Sequence, residues 1–351
     1  MAKRLAVVLF NLGGPDRPEA IEPFLVNLFS DAAIIGLPGF LRWPLARLIA
    51  RRRAPAAREI YAHLGGKSPL LELSVAQASA LEKRLRGDAG RDARVFVCMR
   101  YWHPMSDDIA AAVAAFDPDE IVLLPLYPQF STTTTLSSLR AWRGAADKKG
   151  LRGREHAVCC YPTAAGWIAA QVKLVRAALD KAAAFGPPRV LFSAHGLPKR
   201  VIARGDPYQW QVERTVAAVV EGLAEPDLDH VVCYQSRVGP LEWIGPATEA
   251  EIERAGRDAK AVVMAPIAFV SEHSETLVEL DIEYAKTARA AGVAGYVRVP
   301  AVGTADAFIE ALAALTEDAL RRGPPIGPAD GRRVCPAAFS GCPCRNQPAP
   351  T

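Results

Sequence analysis

No apolar run in the chain approaches the roughly 18 residues that a membrane-spanning helix needs. The basic excess of a nucleic-acid binder is missing too: 42 Lys and Arg stand against 38 Asp and Glu, a formal net charge of +4. No P-loop spacing occurs, and Asn11-Leu12-Gly13-Gly14-Pro15 lacks the glycine pattern of a dinucleotide fingerprint. The start, Met1 to Arg4 followed by a short apolar stretch, has no small-residue cleavage site. It reads as the first strand of a cytoplasmic protein. Seven cysteines, an odd number in a chain this long, do not suggest a disulfide framework.

What is present is an ordinary globular balance. Half of the 351 residues are apolar and 23% are charged, enough for a core and, at about 150 residues per domain, for two domains. Short apolar, β-branched runs fall at 4–10, 93–98, 119–126, 155–160, 189–194, 230–235, 260–267 and 295–299. Longer amphipathic stretches alternate with them, at 70–87, 105–115, 163–184, 207–224, 273–291 and 303–321. Strands that are apolar throughout, separated by helices, predict a parallel α/β fold. The eight strands form two sets of four, so the expectation is two similar Rossmann-like lobes, each a four-stranded parallel sheet flanked by helices. The first lobe is expected over 1–185, the second over 186–325 and a Cys-rich extension over 326–351. An insertion at about 20–67 is dense in large apolar residues, from Phe24 to Ile49, and carries Arg47, Arg51, Arg52 and Arg53. Such helices either cover the first sheet or form a lip for an apolar ligand or a membrane surface.

In doubly wound folds ligands bind beyond the carboxyl ends of the strands. Residues just after each strand are therefore the candidates. His195 directly follows the fifth run and is itself followed by a turn, Gly196-Leu197-Pro198. Its near-neutral pKa suits proton transfer, although a structural loop histidine would look the same. After the seventh run come Ser271, a plausible helix cap, and Glu272-His273-Ser274-Glu275, with Glu279 and Glu283 beyond. At α-helical spacing Glu272, Glu279 and Glu283 project within about 20° of one another, and Glu275 lies some 60° away. Stacked like charges repel, so the row is either a solvated face or a path for a hard cation or protons. The hydroxyl run Ser131–Thr135 can cap a helix or meet an anion, and Arg100-Tyr101 puts a cation beside an aromatic ring. Cys335, Cys342 and Cys344 lie within ten residues after the Gly/Pro-rich linker Gly323–Pro328. They suggest metal ligation, by zinc or a 2Fe-2S cluster, with a fourth ligand from elsewhere. Cys159 and Cys160 are adjacent at a strand end, where side chains point to opposite faces, so at most one is expected to reach the same metal.

Taken in order, Asn11–Pro15, Gly65–Leu70, Met99–Pro104, Leu124–Thr135, Ser193–Pro198, Tyr234–Pro240 with Trp243, and Ser271–Tyr284 resemble the ferrochelatase family. The resemblance implies two Rossmann-like lobes holding a porphyrin in a cleft, with a hydrophobic lip from the first. It implies insertion of ferrous iron into protoporphyrin IX to give protoheme, without a nucleotide. His195 matches the family's catalytic histidine. Glu275 matches the acidic partner facing it across the porphyrin, so both are expected to act on the substrate iron site. Glu272, His273, Glu279 and Glu283 fall in the family's iron-or-proton path. Leu12, Arg100, Tyr101, Trp243 and Phe269 match pocket positions, and Arg52, Arg53 and Ser68 match positions near the porphyrin carboxylates and the lip. The tail resembles the bacterial branch that carries a 2Fe-2S cluster, implying Cys335, Cys342 and Cys344 with Cys160, or else Cys159. A homodimer and peripheral contact with the inner membrane are compatible with this; a nucleic-acid partner is not expected.

The chemistry agrees with the resemblance. Metallation removes two pyrrole protons, and a neutral His195 can accept one while carboxylates carry protons away or deliver iron. Two rivals remain at this level: a chelatase acting on coproporphyrin or another tetrapyrrole, and a non-catalytic heme or porphyrin carrier with an iron–sulfur sensor.

Overall fold

The computed structural model describes residues 3–87, 91–237, 239–322, 326–328 and 333–346. Linker residues Gly323, Pro324 and Pro325, and Val238, lie outside the described residues. In chain order the first half holds β1 (Leu5–Asn11), α1 (Ile21–Phe29), α2 (Gly39–Ala62), α3 (Leu70–Gly87), β2 (Ala93–Met99), α4 (Ser106–Phe116), β3 (Glu120–Pro125), α5 (Thr135–Lys149) and β4 (Arg154–Val158). There follow α6 (Ala165–Ala182), β5 (Pro188–His195), α7 (Lys199–Ala203), α8 (Tyr208–Leu223), β6 (His230–Gln235), α9 (Thr248–Arg257) and β7 (Ala261–Pro266). A π-helix (Glu275–Glu283) runs directly into α10 (Tyr284–Ala290), and β8 (Tyr296–Arg298), α11 (Asp306–Arg321) and β9 (Ile326–Gly327) close the order.

Two compact units result. One comprises Met1–Cys160, Leu312–Val334 and Asn346–Thr351; the other comprises Tyr161–Ala311 and Cys335–Arg345. The first unit's sheet has the order β2-β1-β3-β4-β9, all parallel. It has five strands where four were expected, because Ile326 and Gly327 pair with Ala157 and Val158. Strand β1 is buried along its whole length, as a strand covered on both faces must be. Trp142 of α5 is fully buried and meets Phe10 edge-on, ring centroids 6.2 Å apart. The insertion packs through Phe24, Leu25, Ala50, Ala54 and Tyr61 onto Tyr101 and Trp102. Helix α2 leaves Phe40 77% exposed, with Leu41, Trp43 and Leu48 exposed beside it.

The second unit's sheet has the order β6-β5-β7-β8, again parallel. The pleat sends alternate side chains to opposite faces. Val190, Phe192 and Val263 meet Val175, Ala178 and Ala182 of α6 and Val212 and Val216 of α8. Leu191, Val262 and Met264 meet Ile252, Leu280 and Tyr284 on the other face. Helix α6, placed by the sequence reading in the first lobe, therefore buries its apolar side in the second sheet's core, and the units divide after Cys160. Both sheets share one order if numbered separately, and each reverses direction beside its first strand. In the second unit that reversal lies between β5 and β7, whose carboxyl ends deliver His195 and the segment leading to Glu275.

Candidate active site

His195 is the last residue of β5, in register with Gln235 of β6. The chain then turns so tightly that a Cβ on Gly196 would lie 2.9 Å from the Gln235 carbonyl oxygen. That carbonyl accepts the Gly196 N–H at 2.9 Å. The imidazole Nδ1 faces Glu275 Oε2 at 2.8 Å, and Nε2 has no hydrogen bond among the described residues. With the proton on Nδ1, the ring donates to the carboxylate and keeps an open lone pair on Nε2.

The acidic segment departs from the α-helical reading. The helix begins at Ser274, later than the Ser271 cap would place it, and Glu275–Glu283 winds as a π-helix. Its i→i+5 bonding widens the turn, and such segments recur at functional sites. Glu275 and Glu279, four residues apart, lie on one side of the π-helix, where both meet Ser236. The Ser236 hydroxyl lies 3.2 Å from Glu275 Oε2 and 2.6 Å from Glu279 Oε2. The Ser236 N–H donates to Glu279 Oε1 at 2.8 Å, and Gln235 Nε2 donates to Glu279 Oε2 at 3.0 Å. Tyr284 donates its hydroxyl to Glu279 Oε1 at 3.0 Å. Ser236 manages this from a left-handed backbone, φ +59°, uncommon for a residue with a side chain.

Charge follows from this geometry. Burial lowers the basicity of His195, but the Glu275 charge and hydrogen bond outweigh it, and its pKa stands above the usual 6.5. Burial works against the Glu275 carboxylate as well; the His195 charge and hydrogen bond overcome it and hold the group below 4.5. Glu279 goes the other way. Burial first, then the Glu275 charge, raise it and favour its protonated form despite the Ser236 and Tyr284 donors. The site pairs a histidine of raised basicity with a carboxylate held in its charged form, and a second carboxyl of raised pKa stands beside it.

The expectation that Glu275 faces His195 across a porphyrin is corrected. At 2.8 Å the two side chains form one unit, and no macrocycle fits between them. Glu272 also leaves the row, because it stands before the helix and is held by Arg298, Nη1 to Oε1 2.6 Å. Glu283 is exposed at the far end of the π-helix. The His273 and Phe269 rings meet edge-on at 4.7 Å. Trp243 pairs by a backbone bridge with Pro198 and approaches Gly196.

In the first unit the matching residues serve a different network. Arg100 donates through Nη2 to Asp31 Oδ2 at 2.8 Å, the Tyr101 hydroxyl donates to the same oxygen at 2.9 Å, and Ser137 joins them. Arg100 Nε also donates to the Ser137 hydroxyl at 2.7 Å, and its guanidinium lies 4.8 Å from the Tyr101 ring centroid. Burial opposes the Asp31 carboxylate, but the Ser137, Ala33 and Arg100 contacts keep its pKa low. The Leu12 carbonyl accepts the Tyr101 N–H. Ser68 is buried and its hydroxyl accepts the Leu70 N–H at 3.3 Å, capping α3. Arg52 and Arg53 are exposed, and Arg53 lies over the Phe29 ring at 5.8 Å. The hydroxyl run caps locally, with Ser131 Oγ accepting the Thr133 N–H at 3.1 Å. Asp31 and Arg298 were not singled out from sequence, and Gln235, Ser236 and Tyr284 lay in the quoted motifs without an assigned role; the positive φ of Ser236 has no marker in residue type.

The tail thiols Cys335, Cys342 and Cys344 are buried in the second unit. Gln211 Nε2 donates to Cys335 Sγ at 3.1 Å. The tail docks where Gly341 N–H meets the Gly205 carbonyl at 3.0 Å and Phe339 packs 5.9 Å from the Trp210 ring. Cys159 and Cys160 follow the end of β4, so the pleat argument does not hold for them, and their sulfurs approach to 3.3 Å. The three tail thiols suit a thiolate-held group in kind and burial. Among the described residues, no three His, Cys, Asp or Glu side chains gather in ligand geometry.

The chain matches the ferrochelatase family model over residues 4–320. It is 54% identical to a ferrochelatase of Caulobacter vibrioides over 347 residues, covering 98% of this chain and 99% of the relative. A ferrochelatase of Phenylobacterium zucineum is 54% identical over 98% of each chain, and one of Pelagibacter ubique is 48% identical over 97% of this chain and 98% of its own. The structure of SirB from Bacillus subtilis with Fe3+ superposes with a TM-score of 0.52 at 10% identity, covering 89% of this chain and 93% of that one. That likeness concerns the fold alone. Two parallel sheets of one order, the motif positions they present and near-complete coverage by relatives about half identical converge: the chain belongs to the ferrochelatase family.

Proposed function

We propose that the protein is a lyase of heme synthesis that inserts ferrous iron into protoporphyrin IX, giving protoheme and releasing two protons. Family membership supports the reaction class, and the observation that carries it at the site is the His195–Glu275 pair at 2.8 Å with Nε2 open. Nε2 takes a pyrrole proton, and Glu275 stabilises the resulting imidazolium. The proton leaves by way of Glu275 and the Ser236 hydroxyl to Glu279, which takes it up as a carboxylate and releases it toward exposed Glu283. Ser236 bridges the first two carboxyls. The second pyrrole proton follows after the pair resets, and iron takes the place of both. A bent macrocycle presents its nitrogen lone pairs to the metal, so a site that binds the bent ring favours the transition state.

By family resemblance, Leu12, Arg100, Tyr101, Trp243 and Phe269 contact the porphyrin, and Arg52, Arg53 and Ser68 serve its carboxylates and the lip. By the same resemblance, Cys335, Cys342 and Cys344 would hold a 2Fe-2S cluster, with Cys160 or its neighbour Cys159 as fourth thiolate. The buried tail thiols support this, and no step of the reaction runs through the cluster. No described helix is long and apolar enough to cross a membrane. The apolar, arginine-flanked exposed face of α2 supports peripheral contact with an anionic membrane from a cytoplasmic location. A homodimer belongs to the same reading.

The test is anaerobic incubation of ferrous iron and protoporphyrin IX with sub-stoichiometric protein. Many equivalents of heme per protein, formed faster than with coproporphyrin, are expected. Faster turnover of coproporphyrin would move the substrate to the more carboxylated ring. Heme that stops at one equivalent would make the protein a carrier.

A further inference from the structure

Strand β8 is three residues long, yet two of them reach the π-helix. The Tyr296 hydroxyl donates to the Leu280 carbonyl at 2.7 Å. Arg298 grips Asp281 with both arms of its fork, Nε to Oδ1 at 2.7 Å and Nη2 to Oδ2 at 2.9 Å. Its remaining nitrogen, Nη1, donates to Glu272 Oε1 at 2.6 Å. The same Glu272 oxygen accepts the Ala301 N–H at 2.9 Å, which ties the segment after β8 into the knot. The Arg298 side chain is only 15% exposed. One guanidinium thus holds a residue ahead of Glu275 and a residue beyond Glu279. A π-helix is rare beside an α-helix, so a segment that adopts it draws on its surroundings. Returning to α-helical winding would rotate Glu279 away from Ser236 relative to Glu275.

Resting on the His195–Glu275 reading of the site, we propose that Arg298 is a positioning residue for metallation. It clamps Glu272 and Asp281 so that the wide turn between them keeps Glu275 on His195 and Glu279 on Ser236. Glu272 then belongs to the clamp and not to the iron path. Planar, two-armed recognition of a carboxylate is what a guanidinium provides and an ammonium does not.

The experiment compares Arg298→Gln, Arg298→Lys, Glu272→Gln and Asp281→Asn in the full chain. It reads kcat, the KM for ferrous iron at saturating protoporphyrin IX, Tm, and hydrogen exchange of the π-helix amides. Loss of a supporting group of this kind costs about 10- to 100-fold in activity. Arg298→Gln is expected to lose that much in kcat with the iron KM little changed and exchange over 275–283 accelerated. Arg298→Lys should recover part of the rate. Asp281→Asn and Glu272→Gln should each cost less, and neither should add its full loss to that of Arg298→Gln. If Arg298→Gln does not fold, Arg298→Lys and Asp281→Asn carry the same comparison. A raised iron KM in Glu272→Gln alone, with Asp281→Asn and Arg298→Lys unaffected, would overturn the clamp and return Glu272 to the iron path. So would a lower Tm with unchanged kcat and unchanged exchange. His195→Ala serves as the separate control: full turnover there defeats the site reading, while the exchange data still decide the clamp.

Discussion

A histidine at a strand end is only as basic as its neighbours make it. Removing the Glu275 charge leaves burial, the largest influence on His195, unopposed except by Glu279. Glu275→Gln should therefore lower the His195 pKa, read by NMR titration of its ring protons, and move the acid limb of the pH–rate profile to lower pH. An unmoved limb would mean that another group is the base. The pair also shapes stability. The raised His195 contributes fully below about 6.5 and loses its contribution as pH rises through its higher folded value. The lowered Glu275 contributes above about 4.5 and loses its contribution as pH falls through its lower folded value. The Tm deficit of His195→Ala is thus expected to be largest between about pH 4.5 and 6.5 and to shrink in alkali. A deficit independent of pH would contradict the ion pair. His195 and Glu275 were legible because each follows a strand. That they touch was not, since 80 residues separate them and only the shared sheet brings them together. The Arg298 partner of Glu272 was not legible for the same reason: it lies 26 residues on, past a helix and a turn.

Elements carry their own lessons. Eight strands announce themselves as apolar, β-branched runs, because a strand covered on both faces needs no polar side. The ninth, Ile326–Gly327, is two residues of backbone pairing beside a proline-rich linker and leaves no pattern in side chains. The π-helix is equally silent. Its amphipathic pattern reads as α-helical, and the residues that contact it from β8 and at Ser236 lie far from it or on another strand in sequence. Helix α2 is the reverse case, legible as an apolar and basic insertion but not as to which residues stay exposed. The structure singles out Phe40 and Trp43, with Arg47 over the Trp43 ring at 5.5 Å. Replacing both aromatics by Ser should weaken binding to vesicles containing anionic lipid, measured by co-sedimentation, by at least about tenfold. Undiminished binding would remove α2 as the membrane-facing element.

At the scale of the whole molecule, the chain builds one sheet order twice and equips the two copies differently. The first unit gained the insertion and the Asp31–Arg100–Tyr101 network; the second gained the pair and the clamped π-helix. Two units were legible in the strand pattern. The exchange of segments between them was not, because α6 and the tail join the second unit through packing that no local signal records. Tail docking depends on Gly205, φ +87°, whose missing Cβ leaves room for Ser340. If the tail holds a cluster, the purified protein absorbs in the visible, and Cys344→Ser should abolish that band and lower Tm. A colourless wild type that contains zinc would contradict the cluster. The central claim is that His195 takes the pyrrole proton. Its most direct test is the single-turnover rate of iron insertion by His195→Ala at saturating iron and protoporphyrin IX. A loss of about 10²- to 10⁴-fold is predicted for a missing general base, and a rate near that of the wild type would contradict the account.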